Sequence, residues 1–515
     1  MKYRDHSPIV ISEFLGLYDQ GDPQNVPIDH FTDCGNIKFV GGASFRTRDG
    51  IGISQNVVAP LTNIRRIYNY PTTTGNTLIV LTYDYTANTG SIYHVVSPTL
   101  VYGPLLTKTG MKDFAFIPYA GRGYISPIGY YTLTALDGTT LNIEKGLQSE
   151  FLYVYLGAGV AAAKAAGTAL SGALTIALGA AGHNDPGIHV FGFVAETDTG
   201  ALLAPGALKA FGTLGSPNNS ISFGSVPVGG AHVVKRHLVS SKGIPIPPGF
   251  NGDVNGYQLF FVPNATINNN TDNFLNNISF YDADLIDDAS HLSDNYAEIP
   301  AGASLNMYHD RLVLAATFTD ESLALVSAVG EPEAISQIDG LIVVPPDGNP
   351  ITNGQELRDV LYLYKRSRTV SYADNGDEPS TWQLVVVDDA LGTCLHGIAT
   401  VLDSGSKSVD YLIVATYQGI SLFNGRYITP ELSWKIYNFW KNQDRNEFRK
   451  IQILNATIQK WLLAILPDGR ILYGDYNSGM DPKKIRWAPW SFDMTVNTIA
   501  IANIDEIIFG ADLGV

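Results

Sequence analysis

Apolar and polar positions in this chain change over in short bursts, each closed by Gly, Asn, Asp or Pro. The stretch from Asp410 to Trp440 sets the pattern. Tyr411 to Ala415 is an apolar run, Gln418-Gly419 a turn signal, and Ile420 to Phe423 a second apolar run closed by Asn424-Gly425. Asn and Gly both tolerate positive φ, so the segment predicts a β-hairpin followed by another tight turn. Pro430 suits a first helical position, Thr429 a cap, and Leu432, Ile436 and Phe439-Trp440 fall near helical spacing, which predicts a short helix over 430–440.

The same strand, turn, strand order recurs. Lys460 to Leu466 turns at Pro467-Asp468-Gly469 into Ile471 to Gly474, and Asp359 to Tyr364 turns at Lys365 to Ser367 into Thr369 to Tyr372. Arg311, Leu361, Tyr411 and Trp461 open equivalent runs at intervals of 50 residues. Strand pairs repeating at roughly that period are the mark of propeller blades, six to eight in number. Upstream, Thr77 to Tyr83 pairs with Ser91 to Val96, Asp113 to Ile117 with Gly123 to Ser126, and Asn36 to Phe39 with Ser44 to Arg48 around Gly41-Gly42.

Residues 148–298 break the rhythm. Gly157 to Gly182 is rich in Ala and Gly, but Lys164 at its centre and its few large aliphatics argue for strands and turns of a β domain rather than a membrane helix. His189 to Val194 and Tyr257 to Val262 are core strands of one inserted β-sandwich, and Asp282 to Leu292 reads as a short helix. The chain is therefore expected to be all-β. Residues 1–60 form an arm with ring-closing strands, 61–147 the first blades, 148–298 the inserted sandwich and 299–515 the remaining blades. The arm around 36–60 is expected to complete the last blade, which would close the ring without an open edge.

Composition agrees with a modular β protein: 515 residues, 16% charged, with 51 Gly, 27 Tyr and 22 Phe. The formal net charge of −16 disfavours tight binding to a phosphate backbone. Cys34 and Cys394 are the only cysteines, as suits free thiols in a reducing cytosol. No secretory signal follows Met1, and the Asn-x-Thr triplets at Asn264 and Asn455 then read as chance matches.

Candidate chemistry is sparse. His183, Asp185 and His189 fit no standard metal spacing, so a turn leading into a core strand is expected there. Cys394 and His396 suggest a nucleophile and base but lack a third member. Asp282, Asp284, Asp287 and Asp288 lack the Gly and distal Glu of a calcium loop and read as a solvated helix face. Ser371 to Gly376 with Trp382 only faintly matches the Asp-box of sialidases, and no carboxylate pair stands out as a glycosidase acid and nucleophile. The expectation is no enzyme activity, with no catalytic, cofactor or metal residues.

Phe14 to Asp19, Asp33 to Asn36, Gly41-Gly42 and Arg46 to Gly50 resemble the start of tailed-phage virion proteins of the tail tubular or nozzle type. Tyr362 to Arg366, Gln418 to Gly425 and Trp434 to Trp440 resemble their propeller half, and the insertion resembles the immunoglobulin-like domains of phage tails. The resemblance implies a structural virion protein of a short-tailed phage, made in the host cytoplasm. It would form a homohexameric ring that retains the genome and passes it on ejection without sequence-specific binding. Its partners would be adaptor or portal-proximal tail proteins and tail fibres. The alternatives are a carbohydrate-binding or hydrolysing propeller, and a receptor-binding tail-tip or fibre-like protein.

Overall fold

The computed structural model describes residues 16–19, 30–31, 34–40 and 44–47, and 61–512 apart from short loop segments. The chain is all-β. Seven antiparallel sheets follow one another around a ring, each starting with its innermost strand. Blade one opens with Ile64–Thr72, blade two with Asp113–Tyr119, blade three with Gly302–Tyr308 and blade four with Ile351–Leu357. Blade five opens with Ile398–Leu402, blade six with Gln452–Ala456 and blade seven with Val496–Ile501.

Neighbouring inner strands touch from blade one through blade four, and again from blade five through blade seven back to blade one. Blade four meets blade five at Val409–Ala415, and Asn353 Nδ2 donates to the Leu395 carbonyl at 2.6 Å just ahead of that blade's inner strand. The cores tell the same story, because apolar side chains are shared across every blade boundary. Blade seven closes the circle, with Ile67 and Val80 of blade one packing with Ala500. Among the described residues this is a β-propeller-like ring of seven sheets.

The second strand of each repeat explains the period of 50. Arg311–Thr317, Val360–Lys365, Val409–Ala415 and Trp461–Ile465 are all second strands of their sheets. Both faces of such a strand are covered by adjoining blades. It therefore reads as a continuous apolar run rather than an alternation, and Leu312 through Ala316 are all buried.

The insertion leaves blade two and returns at blade three. Tyr153–Tyr155 and Lys164–Ala165 still extend blade two's sheet, so the sandwich starts later than residue 148. Its two sheets run from Thr175–Leu178 to Ile286–Asp288, one of three strands and one of five. Phe191, Phe193, Phe223, Leu238 and Val262 fill the space between them. The other face of the five-stranded sheet, through Val190, Val194 and Val239, packs with Ala328 and Ala334 of blade three.

Three local expectations change. The hairpin Ile37–Val40 with Ser44–Thr47 lies against the outer strand of blade six, Arg486–Trp490, and does not complete blade seven. Asn36 N and Trp490 Nε1 tie the two together, donating to the Pro489 and Ile37 carbonyls. Residues 48–60 of the expected closing segment lie outside the described residues. At 430–440 the helical part is only Trp434–Ile436 and Tyr437–Lys441, because Leu432 and Ser433 dock first under the Ile420–Phe423 strand. The segment 282–292 holds a short turn, Asp282–Asp284, and then a strand, Ile286–Asp288, which pairs with Phe260–Ile267.

Candidate functional site

Blade geometry aims the inner strands' side chains at one axis, and polar groups meet there. Arg66 on blade one donates twice to Asp113 on blade two, Nε to Oδ1 at 2.9 Å and Nη2 to Oδ2 at 2.7 Å. Phe114 N also donates to Oδ1 at 2.9 Å. From across the ring, His396 Nε2 lies 3.0 Å from Asp113 Oδ2. The third face of Arg66 is held by Gln452 Oε1 of blade six at 2.9 Å, and Gln452 Nε2 donates to the Ile499 carbonyl of blade seven at 2.8 Å. Side chains from blades one, two, five and six thus meet across the propeller's own centre.

Burial works against the Asp113 carboxylate, but Arg66 and His396 overcome it and hold it well below the usual carboxylate range. His396 is pushed down by burial and by Arg66, against the pull of Asp113. A second layer holds Glu144, with Arg366 Nη2 at 3.7 Å and Arg449 Nε at 3.8 Å. Both contacts exceed hydrogen-bond length. Burial pushes Glu144 up to about 7 despite the two guanidinium groups. Arg449 also lies 4.4 Å above the Tyr130 ring.

Two cavities adjoin this network. One, of about 220 Å³, is lined by Tyr68, Ser304, Asn353, Gln355, His396 and Gln452 among others. The other, of about 460 Å³, carries Arg65, Arg66, Lys112, Arg449 and Lys450 against Glu447 and Asp512.

The Asp113–His396 pair has the form of an oriented base, and it supplies the third member that the sequence did not reveal for Cys394 and His396. The constellation still lacks an activated nucleophile. Cys394 Sγ points at the Ile451 carbonyl, 3.3 Å away, and burial pushes its thiol up to about 12. A thiol in that state is inert at neutral pH. Arg66, Asp113, Glu144 and Gln452 were missed in the sequence; for Arg66 and Asp113 the available signal was a charged residue in an inner strand of a chain poor in charge.

The other candidates resolve as structure. His189 is buried and bonds the Ser241 and Asp185 carbonyls, as a turn before a core strand requires, and His183 stacks on Tyr281. Asp282 and Asp284 accept from the backbone of Gly243 and Tyr281; Asp284, Asp287 and Asp288 are exposed as expected, but on a turn and a strand rather than a helix. Trp382 is buried, with Nε1 donating to the Asp377 carbonyl at 3.2 Å. Away from the axis, His309, Glu356 and Asp359 bring donor atoms within 4.8 Å of one another.

No protein-family model matches the chain, and no curated protein matches it by sequence. Among solved structures it is similar to apo AztD from Citrobacter koseri, at 11% identity and a TM-score of 0.29, over 83% of this chain and 89% of that one. It is also similar to Kluyveromyces lactis Hsv2, at 11% identity and a TM-score of 0.28, over 83% of this chain and 98% of that one. The propeller-like architecture stands on the closed circle of inner strands. No helix among the described residues is long and apolar enough to cross a membrane.

Proposed function

We propose that this chain is a non-catalytic structural part of a short-tailed phage virion, a subunit of the tail ring of tubular or nozzle type. The observation that carries the reading is the rigid joint between its two modules. Asp198 and His232 of the sandwich meet Glu333 of blade three, with His232 Nε2 2.6 Å from Glu333 Oε2 and Nδ1 2.5 Å from Asp198 Oδ1. Thr199 Oγ1 donates to Glu333 Oε1 at 2.5 Å, and Arg122 Nη2 to the Thr199 carbonyl at 2.7 Å. A sandwich fixed at a set angle to a ring suits a part that must present one face to neighbours and another to fibres.

The charge supports the same reading. Six copies at −16 each carry −96, and a channel of that sign lets a polyanion slide, because few fixed cations hold its phosphates. The channel would lie between subunits, since each propeller's own axis is crossed by Arg66, Asp113, His396 and Gln452. Electron microscopy of the full chain, alone and with extracts of assembled particles, tests this. Closed rings, or binding to other tail proteins, are the expected result. A strictly monomeric particle with no affinity for any virion protein overturns it.

A further inference from the structure

We propose that the adjoining hairpin tips of blades three and four form a binding site for a divalent transition-metal ion, with His309, Glu356 and Asp359 as ligands. The two tips are equivalent turns one repeat apart. Pairing of Tyr308 with Arg311 and of Leu357 with Val360 leaves two-residue loops, His309-Asp310 and Arg358-Asp359. All four loop residues have positive φ, between 46° and 60°, the backbone that a tight antiparallel hairpin imposes.

One buried side chain locks the tips together. Tyr308 OH donates to the Asp359 carbonyl at 3.1 Å and accepts from Asp374 N at 2.8 Å, while its ring stacks on His309 with centroids 4.2 Å apart. The imidazole lies between two carboxylates, with Nδ1 3.6 Å from Asp374 Oδ2 and Nε2 3.8 Å from Asp359 Oδ1, both just beyond hydrogen-bond length. A carboxylate on the far nitrogen is the usual way a protein orients a metal-binding imidazole.

Glu356 Oε2 faces the same tip, 3.4 Å from His309 N. Ligands about 2.1 Å from an ion stand at most ~4.2 Å apart, so donor atoms now within 4.8 Å close on a metal by small rotations. Asp359, 88% exposed, is free to make them. One imidazole and two carboxylates suit zinc or manganese better than calcium, which prefers an all-oxygen shell. Water would complete the coordination.

The test is titration calorimetry of the chelator-treated full chain with Zn²⁺, repeated with Ca²⁺. One Zn²⁺ site per chain is expected. His309→Ala and Asp359→Asn should each lower its affinity at least tenfold, and Asp374→Asn, through the imidazole it would orient once metal is bound, by about 10- to 100-fold. Zn²⁺ should also raise the melting temperature of the parent chain but not of His309→Ala, with the metal-free melts alike. Absence of a Zn²⁺ site, affinity unchanged in both ligand variants, or equal competition by Ca²⁺ overturns the proposal. Asp359 is exposed, so its variant reports even if His309→Ala folds poorly.

Discussion

Glu144 shows how a single residue carries the tension of the propeller's centre. Its Oε1 is buried without a hydrogen bond, and its two guanidinium neighbours stand just beyond bonding distance. Burial therefore wins, lifting it from an ordinary 4.5 to about 7. Between those values the native chain keeps a proton that the unfolded chain releases. Its contribution to stability thus falls as pH rises through that window, and above 7 the full cost, ~3 kcal/mol, applies. His396 slopes the other way, because its depressed value means that the unfolded chain takes up the proton first as pH falls below 6.5. The two partly cancel in the parent protein, so the difference between parent and Glu144→Gln is the informative quantity. Denaturant melts should find the variant more stable by up to ~3 kcal/mol at pH 8 and nearly equal to the parent at pH 5; an equal effect at both would show that charge burial is not its cause. None of this was legible in the sequence. Glu144 sits in an ordinary alternating strand, and its guanidinium partners come from positions more than 200 residues away.

Elements were far more legible, because their signals are local. The hairpins at 77–96, 113–126 and 411–423 form between the expected strands, and the interval of 50 marks the second strand of four successive sheets. What failed depended on partners distant in sequence. The arm has the composition of a strand-forming segment, but nothing in it says which exposed edge it will cover. It covers blade six. Leu17 N donates to the Trp487 carbonyl at 3.0 Å, Gly16 at φ +82° lies where a Cβ would meet Trp487 N at 2.6 Å, and Phe39 stacks on Tyr473. An uncovered outer strand is a template for pairing with other chains. Removal of residues 1–47 is therefore expected to leave a folded propeller that self-associates through Arg486–Trp490. Light scattering against concentration would read this, and a truncated chain as dispersed as the parent would rule out the covering role. Gly16→Ala should act in the same direction more weakly, through faster proteolysis of the arm.

The whole molecule is a ring with a guest, and the guest's points of entry and exit decide how separable it is. Ala166 N donates to the Leu152 carbonyl at 2.7 Å, and Leu152 N to the Ile299 carbonyl at 2.9 Å. Both ends of the insertion therefore flank one residue of blade two, a geometry that allows a domain to be spliced in without opening its host. The sandwich has its own core, and among the described residues it is coupled to the ring through the face packed on Ala328 and Ala334, the buried His232 cluster, the Arg122–Thr199 hydrogen bond and the Lys164–Asp198 ion pair. Replacing 167–298 with a short Gly-Ser linker should leave a propeller that folds and melts cooperatively. In the full chain the joint should make both parts melt together. Removing one member of a buried hydrogen-bonded group costs ~1–3 kcal/mol by stranding the others, a loss that falls on the joint in His232→Ala or Glu333→Gln. Calorimetry should then split one transition into two, the upper or lower of them matching the excised propeller. If the transition stays single in both variants, the apolar face alone fixes the angle between the modules. The hydrogen-bonded cluster would then be a passenger in the rigid joint on which the tail-ring reading rests.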